Sequence, residues 1–239
     1  MSLRLGWEEV MNDKKLGIIA GMGPFAATYF IKRVLEFTDA EKEWDNFRML
    51  VDYNVFIPSR TRALLYGETS PKQEIINTIN GLENMGADMI AVPCNSAHGW
   101  YEEVSVNINL PWLNLIQVTS DAVKKRHIDK ALIISAYVPY AKRLYDKFID
   151  TVYLTKQEQE SIYKLIERLK VGESSVIAKR DFHDIVYQYK DKVDGIVIAC
   201  TEPSMLFKKD EYVFNGFKIV DSTNEYAKKC VEIMKGDRI

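Results

Sequence analysis

The sequence predicts an α/β fold of two similar halves, each built on a parallel sheet with helices on both faces. The halves face each other about a pseudo-twofold axis, with a site in the cleft between them. Three observations predict this. Short, apolar, β-branched runs alternate along the chain with amphipathic stretches of helical period. The segment from Lys15 to Pro24 is echoed from Lys130 to Pro139, with Lys, an Ile-Ile pair and Pro at the same offsets. A second echo follows in the same order: Asp88 to Cys94 and Asp194 to Cys200 each read as an Asp, a buried strand, and a Cys six positions on.

The strand runs are 16–20, 49–55, 89–92, 131–135, 196–199 and 217–220. The helical stretches are 24–37, 71–85, 139–148, 156–170 and 222–234. Proline or a Ser/Thr cap opens several of them, as suits a first turn whose N–H groups lack partners. Pro24 and Pro139 each open a helix in the duplicated unit, with Ala26 matching Ala141. No low-complexity linker divides the chain. Duplication assigns residues 1–116 with 221–239 to the first half, which carries Cys94. Residues 117–220 form the second half, which carries Cys200. The final helix returns to pack on the first half.

Composition narrows the function classes. The 239 residues are 47% hydrophobic and 28% charged, with a formal net charge of −2. That length affords a sizeable core. That balance points to neither a nucleic-acid nor a membrane partner. No apolar run approaches the roughly 18 residues of a membrane span. The first fifteen residues include Glu8, Glu9 and Asp13 and lack the apolar stretch of a secretory leader, so a cytoplasmic setting is expected. Three cysteines with no close pair argue against a disulfide framework and against structural zinc. His98, His127 and His183 form no metal-ligand pair at helical spacing, so no metal is expected.

Ligands of open α/β sheets bind beyond the carboxyl ends of the strands. Cys94 and Cys200 stand at two such ends, so the pseudo-twofold brings their thiols to one cleft. A cysteine at the start of a helix sits near unpaired N–H groups and the positive end of the dipole, which lowers its pKa and favours thiolate. The same N–H groups suit a carboxylate. Asn95 and Ser96 follow the first Cys, Thr201 and Glu202 the second: short polar residues able to orient a zwitterion. Two thiols on opposite sides of one carbon suit inversion of a stereocentre, one taking a proton and the other giving one. Met22 and Gly23 lie in a Gly-rich turn that allows close backbone approach. Arg60 follows Pro58 in a loop after a strand, and its fork suits a carboxylate. His98 either orients the site or caps a helix; Cys230 packs on the last helix, and His127 and His183 are surface positions. A redox dithiol is the weakest alternative, since the cysteines form no Cys-x-x-Cys motif.

These residues carry a resemblance. Gly21-Met22-Gly23-Pro24 with Ala26 and Thr28, Pro93-Cys94-Asn95-Ser96-Ala97-His98 and Ala199-Cys200-Thr201-Glu202 resemble the motifs of the aspartate/glutamate racemase superfamily. Glu202, where glutamate racemases carry His, points to the aspartate racemase branch. Ile57-Pro58-Ser59-Arg60-Thr61 is similar to the family's Ile-Pro-Asp-Arg-Thr element, and Ile162 to Gly172 to its Ile-Tyr…Lys-x-Gly segment. The likeness runs from residue 15 to about 230. It implies two Rossmann-like halves, a homodimer, and a racemase that uses neither pyridoxal phosphate nor metal. It implies further that Arg60 and Lys170 hold the side-chain carboxylate of an acidic amino acid, aspartate first and glutamate second. The chain departs from the family at Ala136-Tyr137-Val138-Pro139-Tyr140, where a Thr- and Gly-rich turn is usual, and at Pro203. A bulky Tyr137 reshapes the pocket and bears on substrate more than on reaction. Two alternatives stay open. One is a Cys-dependent relative on the same fold (hydantoin racemase, arylmalonate decarboxylase or maleate isomerase type). The other is a non-catalytic amino-acid-binding protein.

Overall fold

The computed structural model describes residues 14–171, 173 and 175–236. The reading of the N-terminal residues before 14, and Gly172 of the Ile-Tyr segment, lie outside them. In chain order the elements are β1 (Lys15–Ala20), α1 (Pro24–Thr38), β2 (Arg48–Tyr53), α2 (Arg60–Tyr66), α3 (Lys72–Asn84), β3 (Met89–Ala91), α4 (Tyr101–Ser105), α5 (Leu115–Lys125), β4 (Lys130–Ser135) and α6 (Tyr137–Ala141). They continue with β5 (Asp150–Tyr153), α7 (Lys156–Lys170), α8 (Ser175–Val186), β6 (Gly195–Ala199), α9 (Thr201–Ser204), β7 (Val213–Phe214), β8 (Phe217–Asp221) and α10 (Ser222–Lys235).

Two sheets result, in the orders β2-β1-β3 and β5-β4-β6-β8-β7; every pairing is parallel except the terminal hairpin β7-β8. The first sheet gains a fourth rung where Trp112 bridges Ile90 in parallel. The orders then correspond: β2 to β5, β1 to β4, β3 to β6, and residues 111–113 to β8. The repeated Lys and Asp have the same job in each half. Lys15 N–H donates to Asp88 Oδ2 at 2.6 Å and Lys130 N–H to Asp194 Oδ2 at 2.9 Å. Each Asp thus ties the entry of the strand bearing the Cys to the entry of the central strand. The caps correspond too: Asn114 accepts from Gln117 N–H at the start of α5, and Asp221 accepts from Thr223 and Asn224 N–H at the start of α10.

Alternation along the strands builds the layers. Leu16, Ile18, Ala91, Ala131, Ile133, Val197, Ala199 and Val220 face a shared central core with α1, α5 and α10. Ile19, Leu50, Ile90 and Val92 face outward onto Ile75, Ile79 and Leu82 of α3. Leu132, Ile134, Ile196 and Ile198 face outward onto α7 and α8. Ile162, Leu165, Ile166 and Leu169 of α7 are all buried, each contributing on the order of 1.5–3 kcal/mol. α10 lies in the central layer, packed on α1 as well as on α5 and the second sheet. The half boundary at 116/117 falls inside the first turn of α5.

Three sequence expectations need correction. The stretch 139–148 is not one helix opened by Pro139: α6 covers Tyr137–Ala141 with Pro139 inside it, and Arg143 at φ 49 breaks any continuation. β2 ends at Tyr53 because Asn54 turns the chain, its side chain accepting from Phe56 N–H at 2.9 Å. Arg60 lies not in a loop but on the first residue of α2, capped by Ser59.

Candidate active site

The carboxyl ends of β1, β2, β3, β4 and β6 open onto one cleft of about 1060 Å³. All ten residues singled out from the sequence line it: Met22, Gly23, Arg60, Cys94, Asn95, Ser96, Lys170, Cys200, Thr201 and Glu202. Glycines shape the first wall. Gly21 and Gly23 adopt φ 88 and 94, and a Cβ on Gly21 would stand 2.6 Å from the Asn54 carbonyl carbon. The Met22 side chain turns away into the core, leaving its backbone to the cleft.

The two cysteine segments are bonded to each other. The Thr201 hydroxyl donates to the Pro93 carbonyl at 3.0 Å, so the segment of Cys200 fixes the residue before Cys94. Asn95 is buried, its amide donating to Ser222 Oγ at 3.0 Å and its oxygen accepting from the Tyr145 hydroxyl at 2.6 Å. Its side chain is thus committed to internal bonds. His98 does not line the cleft. Leu115 N–H donates to its Nε2 at 3.1 Å, so the neutral ring donates from Nδ1 to the Cys94 carbonyl at 2.9 Å. Burial pushes its pKa down to about 4 and keeps it neutral. It anchors the Cys94 segment to α5.

The cysteines differ. Cys94 is half-buried and Cys200 buried. The expectation of a helix start favouring thiolate fails at Cys200. Burial pushes its thiol well up, and the Glu202 carboxylate, which accepts the thiol proton at 3.0 Å, pushes it further; the nearby Lys170 charge only partly opposes them. α9 has four residues, too short a helix to outweigh an adjacent carboxylate. Cys230 lies fully buried in the central core, as read from the sequence.

The cations around the cleft are mostly engaged. Arg62 pairs with Glu68, Lys164 stands 4.0 Å from Glu160, Arg168 pairs with Glu173 and Asp181, and Lys170 pairs with Glu167 at 2.7 Å. Arg60 donates only to the carbonyls of Ile57 and Pro58, at 3.1 and 3.0 Å. Its buried Nε has no partner, and among the described residues it has no carboxylate. Burial works against the Lys170 charge, but Glu167, Glu202 and Cys200 raise its pKa on balance. Tyr137 lines the cleft with its ring 4.7 Å from that of Tyr163, forming an aromatic wall with Tyr66 that the sequence reading had only in part. Among the described residues no group of three His, Cys, Asp or Glu is clustered to hold a metal, and no helix is long and apolar enough to cross a membrane.

Residues 19–230 match the model of the Asp/Glu/hydantoin racemase family. The chain belongs to that family. It is an isomerase, an amino-acid racemase, and it falls with the aspartate racemase branch. It is 29% identical to the aspartate racemase of Picrophilus torridus, with a TM-score of 0.82 over 93% of this chain and 94% of that one. An aspartate racemase homologue from Pyrococcus horikoshii OT3, 23% identical, shares the fold with a TM-score of 0.76 over 93% of this chain and all of that one. The broad specificity amino-acid racemase RacX of Bacillus subtilis is 25% identical over 90% of this chain and 96% of its own length.

Behind the site, Asp221 makes a pH prediction. Its Oδ1 accepts from Ser204 Oγ and Thr223 N–H, both at 2.8 Å, and from Asn224 N–H at 3.2 Å, while Oδ2 has no partner. Burial pushes its carboxyl up to about 6 against those bonds and the Arg33 charge. The folded state therefore binds the proton more tightly than the unfolded one, whose pKa is about 4. Stability is lost as pH rises from about 4 through about 6. Asp221→Asn keeps the Oδ1 acceptor and removes the buried charge. At about pH 7.5 its unfolding free energy, read from urea titration, is expected to equal or exceed that of wild type, by at most about 3 kcal/mol. The difference closes below about pH 4. A variant less stable at both pH values would contradict this account.

Proposed function

We propose that the protein inverts the Cα of an acidic amino acid, aspartate before glutamate, by two-base catalysis with Cys94 and Cys200 and without a cofactor. One observation carries the reading. Two cysteines at matched strand ends line one cleft together with Arg60, whose guanidinium lacks a carboxylate partner. A thiolate on one side takes the Cα proton and becomes a thiol. The thiol opposite gives its proton to the other face of the carbanion and becomes a thiolate. The roles exchange for the reverse reaction, and the pair carries one proton before and after turnover and two while the carbanion exists.

In this reading Arg60 and Lys170 hold the side-chain carboxylate. Backbone groups of Met22, Gly23, Asn95, Ser96 and Thr201 orient the α-carboxylate and ammonium, and Glu202 completes that wall. The division into residues 1–116 with 221–239 and residues 117–220 makes the cleft an inter-half site. A homodimer is supported by exposed Phe25, Val55 and Phe56 at one edge of the first half. A cytoplasmic setting is supported by three unpaired cysteines.

The test is NMR of L-aspartate in deuterated water with purified protein. D-aspartate is expected to form, carrying solvent deuterium at Cα. Aspartate and glutamate both left unchanged would sink the reading. Depletion of substrate without inversion would favour a neighbouring Cys-dependent chemistry instead.

A further inference from the structure

We propose that Glu202 is a positioning residue that keeps the proton on Cys200, so that the resting enzyme holds Cys200 as the proton donor and leaves proton removal to Cys94. The inference rests on the two-thiol reading above and assigns the pair unequal resting roles.

The two cysteine motifs match in place but not in chemistry. The residue two positions after Cys94 is Ser96; two positions after Cys200 it is Glu202. Glu202 is 6% exposed, and its Oε2 accepts from the Cys200 thiol at 3.0 Å. Its Oε1 packs on Gly23, where a Cβ would approach to 2.6 Å, so the turn after β1 limits the carboxylate's movement. A carboxylate beside a thiol stabilises it twice: it accepts the S–H, and its charge repels the thiolate. Three groups outside Cys94 bear on Cys200: Glu202 on its own element, Lys170 on α7 and Tyr145 from the segment after α6. Burial pushes the Tyr145 phenol up and keeps it neutral, so the balance lies between Glu202 and Lys170. Glu202 touches the sulfur and Lys170 bonds to Glu167, which favours the protonated thiol.

The consequence has a defined form. The two enantiomers have equal free energy, so kcat/KM is the same in both directions. Unequal resting protonation shows only in kcat and KM taken separately. When Cys200 must act as base, its Sγ proton leaves to solvent and the Cys94 thiolate takes one up, giving a Cys200 thiolate and a Cys94 thiol; atoms and charge balance.

The test titrates Cys200 without substrate. In Cys94→Ser protein, thiolate absorbance against pH reports Cys200, because burial pushes the Cys230 thiol up out of the way. Adding Glu202→Gln, which keeps shape and removes charge, is expected to lower the midpoint by about one pH unit or more, a tenfold or greater rise in thiolate at fixed pH. Adding Lys170→Met is expected to raise it. Opposite signs separate electrostatic control from loss of packing, which would move both variants alike. In the protein retaining Cys94, the upper limb of the kcat/KM pH profile should fall in step with Glu202→Gln. A midpoint unchanged or raised by Glu202→Gln overturns the proposal. Because no substrate is present, a lowered midpoint in protein that racemises neither aspartate nor glutamate supports the Glu202–Cys200 pair and counts against the racemase reading alone.

Discussion

Cys94→Ser and Cys200→Ser each lower aspartate racemisation by a factor on the order of 10²–10⁴, the range supplied by one positioned acid or base. Serine is close in size to cysteine, so the effect is chemical. A hydroxyl neither carries the negative charge of a thiolate nor releases its proton readily at neutral pH. Each cysteine lies on a segment held by other bonds: His98 grips the Cys94 carbonyl, and the Thr201 hydroxyl next to Cys200 donates to the Pro93 carbonyl at 3.0 Å. Backbone placement therefore survives the substitutions, and far-UV circular dichroism and urea midpoints should stay near wild type. The double variant loses little more than either single one, because inversion needs both groups. Wild-type rates in either single variant would remove that cysteine from the mechanism.

The repeat explains how much was legible. Lys15 and Lys130, Asp88 and Asp194, and the Ile-Ile pairs occupy equivalent places in two sheets of corresponding strand order, so pairwise comparison of the chain with itself located the strands that carry chemistry. Elements absent from that comparison were missed for local reasons. β5 has four residues at a half-buried edge and offers no apolar run. α5 starts only four residues after Pro111, and its Val118 and Thr119 blur its helical period, although Asn114 was a readable cap. α8 opens beside residues outside the described set and was not anticipated. The site residues came together because strand ends on one side of a parallel sheet converge. Their electrostatics were not legible in the same way. The helix-start argument treated both cysteines alike, and burial, together with a carboxylate two residues beyond, reverses its sign at Cys200. Tyr145 holding Asn95, and Thr201 holding Pro93, are tertiary bonds with no local signal, at separations of 50 and 108 residues.

Arg60→Leu is expected to lower kcat/KM for aspartate on the order of 10²-fold, the cost of removing a charged partner from a largely enclosed carboxylate. Lys170→Met costs less, about tenfold, because its side chain is 42% exposed and already paired with Glu167, so water and that carboxylate screen its charge. The loss from Arg60→Leu falls on KM more than on kcat. A side-chain carboxylate far from the reacting carbon is held equally well in the ground state and in the transition state. Arg60→Lys is the informative control. A lysine at that position retains the charge but not the fork, and cannot hold the Ile57 and Pro58 carbonyls and a carboxylate in the same geometry, so it recovers only part of the affinity. Full recovery would mean that charge alone matters. An unchanged KM in Arg60→Leu would mean that the guanidinium, bonded to the Ile57 and Pro58 carbonyls, serves the loop after β2 and not the ligand, and the acidic substrate class would lose its main physical support while the two cysteines kept theirs.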